Sequence, residues 1–211
     1  MTIDEAEQQQ IREILRQLRV AEQWMDQDLP HVQERSALWT DNQRTHPYDV
    51  SQGITHAITV ATDHLHAMRM ALTGAAPGHI GLHAHAPFTL LRAALENTCT
   101  ALWLTGAPNR DERILRRLRL EAKSLKHNEQ LLRLRGVDGS ADIAARRDRL
   151  QAVADARGIT TAALNAQLSP TEILKTVGRQ LCPDPDDRSL VVQLWSLCSA
   201  FAHGDCVRTA S

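Results

Sequence analysis

Aromatic side chains are scarce in this chain: two Phe, four Trp and one Tyr among 211 residues, so aliphatic groups must fill any core. Lysine is scarcer than the charge suggests. Only Lys123, Lys126 and Lys175 stand among 24 basic residues, a bias that, with abundant Ala, fits a GC-rich coding sequence better than a chemical requirement. No stretch of eighteen apolar residues exists, which removes the pattern of a membrane-spanning helix. The four cysteines, Cys99, Cys182, Cys198 and Cys206, form no C-x-x-C pair and no dense disulfide framework. Cys99 and Cys198 fall among apolar neighbours, where a reduced thiol behaves as a small hydrophobe. The nucleotide-binding glycine motifs, the G-x-S-x-G elbow and the H-E-x-x-H zinc motif are all missing.

The remaining composition is that of an ordinary globular chain, with 43% hydrophobic and 23% charged residues. A net charge of −1 predicts no general attraction to nucleic acid or acidic lipid. The acidic, polar start MTIDEAEQQQ predicts no secretory leader, and the expected compartment is the cytoplasm.

Helical punctuation runs the length of the chain. Thr2 to Glu5 fits a capping box for a helix reaching about Asp28, and Pro30 suits the first turn of a shorter helix through Trp39. The polar stretch from Thr40 to Pro47 reads as a loop. Ile54, Ile58, Ala61, Leu65, Met68 and Leu72 step by fours and threes, the stripe of a helix that buries one face. PFTLLRAALENTCTALWLTG, opened by Pro87, is apolar nearly all round and predicts a central helix over about 87–105. Asn109 starts a long charged helix that Gly136 ends, and Ser140 caps another that stops near Gly158. A short turn follows around Ala162 to Leu168, and Ser169-Pro170-Thr171-Glu172 is the strongest helix start in the chain. Asp187 can cap a last helix whose buried stripe is Leu190, Val191, Leu194, Leu197, Cys198 and Phe201. No run alternates with a period of two, so the expected fold is all-α. The expectation is one bundle domain over 1–211, about seven helices around the central one.

Arg92 and Glu96, four residues apart on that apolar helix, are the most informative pair. Charge in a low-dielectric interior is costly unless paired and hydrogen-bonded. They are either a self-satisfied pair holding the bundle in register or the polar wall of a ligand pocket between helices. His203, in SAFAHGD at the end of the last helix, is either a helix cap or a third member of that pocket, favoured in its charged form by the helix terminus. His66 on the preceding helix is the fourth candidate for that pocket. Asp63-x-x-His66 has the spacing of a bundle metal motif, but Asp63 and His56 fall opposite the apolar stripe and no second such motif exists. His79, His83 and His85 crowd one stretch as H-x-x-x-H-x-H; a divalent metal on them is the one cofactor candidate. Arg110, Arg113, Arg116, Arg117 and Arg119, interleaved with Asp111, Glu112 and Glu121, read as a solvated, salt-bridged outer face. The absence of aromatic residues from that helix argues against single-stranded nucleic acid.

LLRAALE, the arginine-rich helix after it and LWSLCSAFAHGD near the far end resemble a group of actinobacterial all-helical proteins; the likeness covers about a quarter of the chain and implies a helical fold with no particular activity. More distantly the chain is similar to the HEPN helical bundles, several of which are RNases in toxin or defence systems. Their hallmark is an Arg four to six residues before a His near the start of a late helix; here Arg188 lies fifteen positions before His203 and Arg119 eight before His127, so no pair has that spacing. Two classes of function follow. One is a non-catalytic or regulatory module that binds a partner, foremost a second copy of itself, through helix faces such as that of His56 and Asp63. The other is an enzyme or small-ligand binder using Arg92, Glu96 and His203.

Overall fold

The computed structural model describes residues 5–23, 31–73, 83–182 and 190–204. Among them are nine α-helices and no strand, an all-α bundle. They are α1 (Glu5–Gln23), α2 (Ala37–Thr45), α3 (Val50–Thr73), α4 (Ala86–Thr105), α5 (Arg110–Leu134), α6 (Ser140–Asp155), α7 (Thr161–Leu164), α8 (Pro170–Leu181) and α9 (Leu190–Ala202). No helix among the described residues is long and apolar enough to cross a membrane. The Thr2 cap, the Pro30 turn and the Asp187 cap lie outside the described residues. The chain packs as two compact units, one of 1–30, 56–100 and 178–211, the other of 31–55 and 101–177.

Several starts follow from capping chemistry. Asn109 Oδ1 accepts from the Glu112 amide at 2.8 Å, Thr160 Oγ1 from Ala163 at 3.2 Å and Ser169 Oγ from Glu172 at 3.2 Å, each satisfying an amide that has no partner within the helix. The start of α6 differs from expectation. Ser140 is its first residue, following Gly139 at the cap position, and Asp138 accepts from both the Ser140 amide (3.1 Å) and its hydroxyl (2.7 Å). Those bonds hold the Asp138 carboxyl below its ordinary range.

In the second unit α5 is the axis. Ile114, Leu118 and Leu125 on its inner face, Ile143, Leu150 and Ala154 of α6, Leu164 of α7 and Tyr48 form one buried cluster. The stretch read as a loop, Thr40 to Thr45, is instead the body of α2. Ser36 starts it, its hydroxyl accepting from the Trp39 amide. What holds so polar a helix is tertiary: Asp41 is 0% exposed, and its two oxygens accept from Arg110 Nε at 2.9 Å and Arg113 Nε at 2.6 Å.

The arginine face of α5 is therefore not an outer one. Arg116 and Arg117 are only 6% and 8% exposed. Arg116 donates to Glu112 (2.8 Å) and to the Trp103 carbonyl, its guanidinium 4.9 Å from the Trp103 ring centre. Arg117 donates to the Asp49 carbonyl at 3.0 Å and to Glu121 at 3.2 Å. Single-helix periodicity marks such residues as solvated because it cannot see acceptors supplied by other segments. Gly53, inside α3, makes room for this arrangement: a Cβ there would stand 2.8 Å from Arg117 Cδ and 3.0 Å from its Nε. That close approach explains a glycine where helix propensity disfavours one.

Two stability measurements test this frame. Asp41→Ala, which strands two guanidinium groups, is expected to lower the free energy of unfolding by about 3 kcal/mol in urea titration, since breaking a buried pair leaves charge uncompensated; a loss under about 1 kcal/mol would contradict the brace. Gly53→Ala is expected to destabilise by about 1–2 kcal/mol through overpacking against Arg117. If it stabilised the protein, as an Ala for Gly exchange in an open helix does, the close approach would be wrong.

Candidate functional site

α4 spans Ala86–Thr105, matching the expected apolar helix to within a residue, and its residues through Thr100 belong to the first unit. Ala94 and Cys99 are buried, while Leu90, Leu91, Arg92 and Ala93 are half-buried. His85, Phe88, Arg92 and Glu96, spaced by three, four and four, lie along one face, which meets the last helix. Phe88 stacks on Phe201, ring centres 4.4 Å apart. His85 Nδ1 donates to the Phe201 carbonyl at 2.7 Å, supplying a partner to a carbonyl in the last turn of α9. Arg92 Nη1 lies 3.2 Å from His203 Nε2, and its guanidinium lies 5.3 Å from the Trp195 ring centre. Glu96 Oε1 accepts from Arg92 Nε at 3.0 Å and from Trp195 Nε1 at 2.7 Å. His85 and Phe88 at the start of α4 meet Phe201 near the end of α9, and Glu96 further along meets Trp195, so these helices pack antiparallel.

Three of the four ligand-pocket candidates, Arg92, Glu96 and His203, thus come together, with Trp195 as the member that sequence reasoning did not supply. Nothing local announces an indole donor 99 positions from its carboxylate. The Arg92 and Glu96 side chains are 29% and 28% exposed, so their desolvation is well short of that of a closed interior. A guanidinium only donates, so in this contact the acceptor is His203 Nε2. Arg92, Glu96, Trp195 and His203 satisfy one another, the geometry of a clasp.

His66 is half-buried on α3 of the same unit, and Asp63 and His56 are exposed, as the phase of the α3 stripe requires. His79 lies outside the described residues, as does Arg188. His83 and His85 are exposed. Among the described residues no three His, Cys, Asp or Glu side chains are grouped to hold a metal ion.

The expected buried stripe of α9 is only partly buried. Cys198 is buried and Val191 and Phe201 are half-buried, whereas Leu190, Leu194 and Leu197 are exposed by 47%, 45% and 40%. The faces that α9 turns inward are those that reach α4. In the second unit, a cavity of about 700 Å³ opens between α5, α6 and residues 161–168; no sequence motif marks it.

Burial pushes the Cys99 thiol up to about 11 and raises that of Cys198, and both, like Cys182, are free. Because the thiolate is the reactive form, iodoacetamide at pH 8 followed by peptide mass mapping is expected to label half-buried Cys182 well before Cys99 or Cys198; equal rates would show that the α4–α9 interior opens freely. Glu96→Ala is expected to lose roughly 1 kcal/mol of stability and to alter Trp195 fluorescence by freeing its indole N–H. An unchanged emission spectrum would count against the clasp.

The chain matches no protein-family model, no curated protein and no solved structure.

Proposed function

We propose that this protein is a non-catalytic interaction module that pairs with a second copy of itself through the outward face of α9. One observation carries this reading. α9 (LVVQLWSLCSAFA) has no charged residue, and it leaves Leu190, Leu194 and Leu197 exposed at spacings of four and three on one side. A face that meets water normally carries charged and polar groups, and an apolar stripe in their place marks a surface meant to be covered. This stripe suits association better than the side of α3 bearing His56 and Asp63, whose exposed polar groups are content in water.

A second copy is the favoured partner on physical grounds. A leucine row is complementary to itself across a two-fold axis, as isologous interfaces require. With a net charge of −1, two copies meet with little repulsion, and the stripe has no charge of its own to select an oppositely charged partner. The Arg92, Glu96 and His203 cluster supports this reading too, because its clasp fixes the inner side of α9 and thereby aims the leucines outward.

Sedimentation velocity over a range of micromolar concentrations tests it. The wild-type protein is expected to sediment as a dimer and Leu194→Glu as a monomer, with unchanged helical circular dichroism because the position is exposed. A wild-type monomer throughout, or a variant that remains dimeric, would refute the proposal.

A further inference from the structure

The cavity in the second unit has a charge balance unlike that of the chain. Among the described residues Arg119, Lys123, Lys126 and Arg147 line it against a single carboxylate, Glu129, so this wall is cationic in a protein whose net charge is −1. Arg119, Lys123 and Lys126 recur at four and three residues along α5, which puts them on one side of the helix. Two of the chain's three lysines are therefore at this wall, which gives their placement a chemical meaning that composition alone does not.

Only Arg147 among these cations has a carboxylate partner among the described residues. Glu129 is already engaged, accepting from Arg133 at 2.7 Å and from Arg147 at 3.0 Å. Among the described residues Lys123 and Lys126 have no carboxylate partner. Arg119 Nη2 is held by two neutral acceptors, the carbonyls of Ala166 (3.3 Å) and Gln167 (2.9 Å), which fix the guanidinium without cancelling its charge. Its Nε is buried and has no hydrogen-bond partner. A buried charged donor left unsatisfied is expensive, and such groups point to a missing acceptor.

We propose that this cavity binds a small organic phosphate. A dianionic head answers the cationic surplus: an anchored guanidinium recognises phosphate oxygens directionally, and two flexible ammonium groups add point charge. The cavity volume falls within the range of small-molecule sites. Leu125, Leu150 and Leu164, all buried members of the core cluster, give it an apolar floor for a short carbon body. Among the described residues no aromatic side chain lines it, so they offer no platform for stacking a nucleobase.

Isothermal titration of the full chain with n-butyl phosphate, and separately with inorganic phosphate, decides the matter. Saturable binding of both is expected, with butyl phosphate the tighter because only it reaches the leucine floor. Lys123→Gln combined with Lys126→Gln is expected to weaken butyl phosphate by about tenfold or more, while leaving the ligand-free melting temperature nearly unchanged because both lysines are exposed. A Lys175→Gln control, away from the cavity, is expected to bind as the wild type does. Absence of saturable binding to the wild type, or equal affinity in the wild type and the double variant, would overturn the proposal. Neither outcome depends on the oligomeric state, which is read separately by sedimentation.

Discussion

A carboxylate shut away from water must find its cations, and Asp41 finds two. Much of the second unit depends on that constraint. Asp41 brings α2 against the first turn of α5, where Arg110 and Arg113 stand one turn apart, so one side chain sets both the distance and the rotation of the pair. Once α5 is so oriented, Ile114, Leu118 and Leu125 face Ile143, Leu150 and Leu164, while Arg116 and Arg117 reach the Trp103 and Asp49 carbonyls. A buried ion network of this kind contributes less to net stability than equally well-packed apolar groups would.

The helices whose ends carry their own capping chemistry were legible from the chain alone. Asn109, Ser169 and the turn near Ala162 begin elements where the local rules place them, and α4 has the bounds that its apolar run implies. The α2 region was not legible, because its helical state is imposed by Arg110 and Arg113 some seventy positions away and not by its own polar residues. The same blind spot made the arginines of α5 look solvated. Periodicity reports which residues share a face; it does not report what that face meets.

The candidate site divides along the same line. Arg92 and Glu96 were visible as an (i, i+4) pair, and the small residues before His203 suggested that α9 approaches another helix closely. Trp195, which turns the pair into a clasp, was not visible, since its contact with Glu96 spans most of the distance from the middle of the chain to its last helix. The cationic cavity was equally hidden. Its walls come from α5, α6 and the residues after Thr160, and no one of these segments is unusual by itself.

The long-range nature of the α4–α9 contact also bears on the order in which the structure can form. The elements around α5, α6 and α7 follow one another closely, so their core can gather as soon as residue 164 is available, with short loops to close. Phe88, Arg92 and Glu96 must instead wait for Trp195, Phe201 and His203, with the whole intervening stretch already made. During synthesis, then, the core around α5 can form while the face of α4 that carries Phe88, Arg92 and Glu96 still lacks its partners on α9. A chain interrupted before that helix would hold the core around α5 but leave Arg92 and Glu96 without Trp195 and His203.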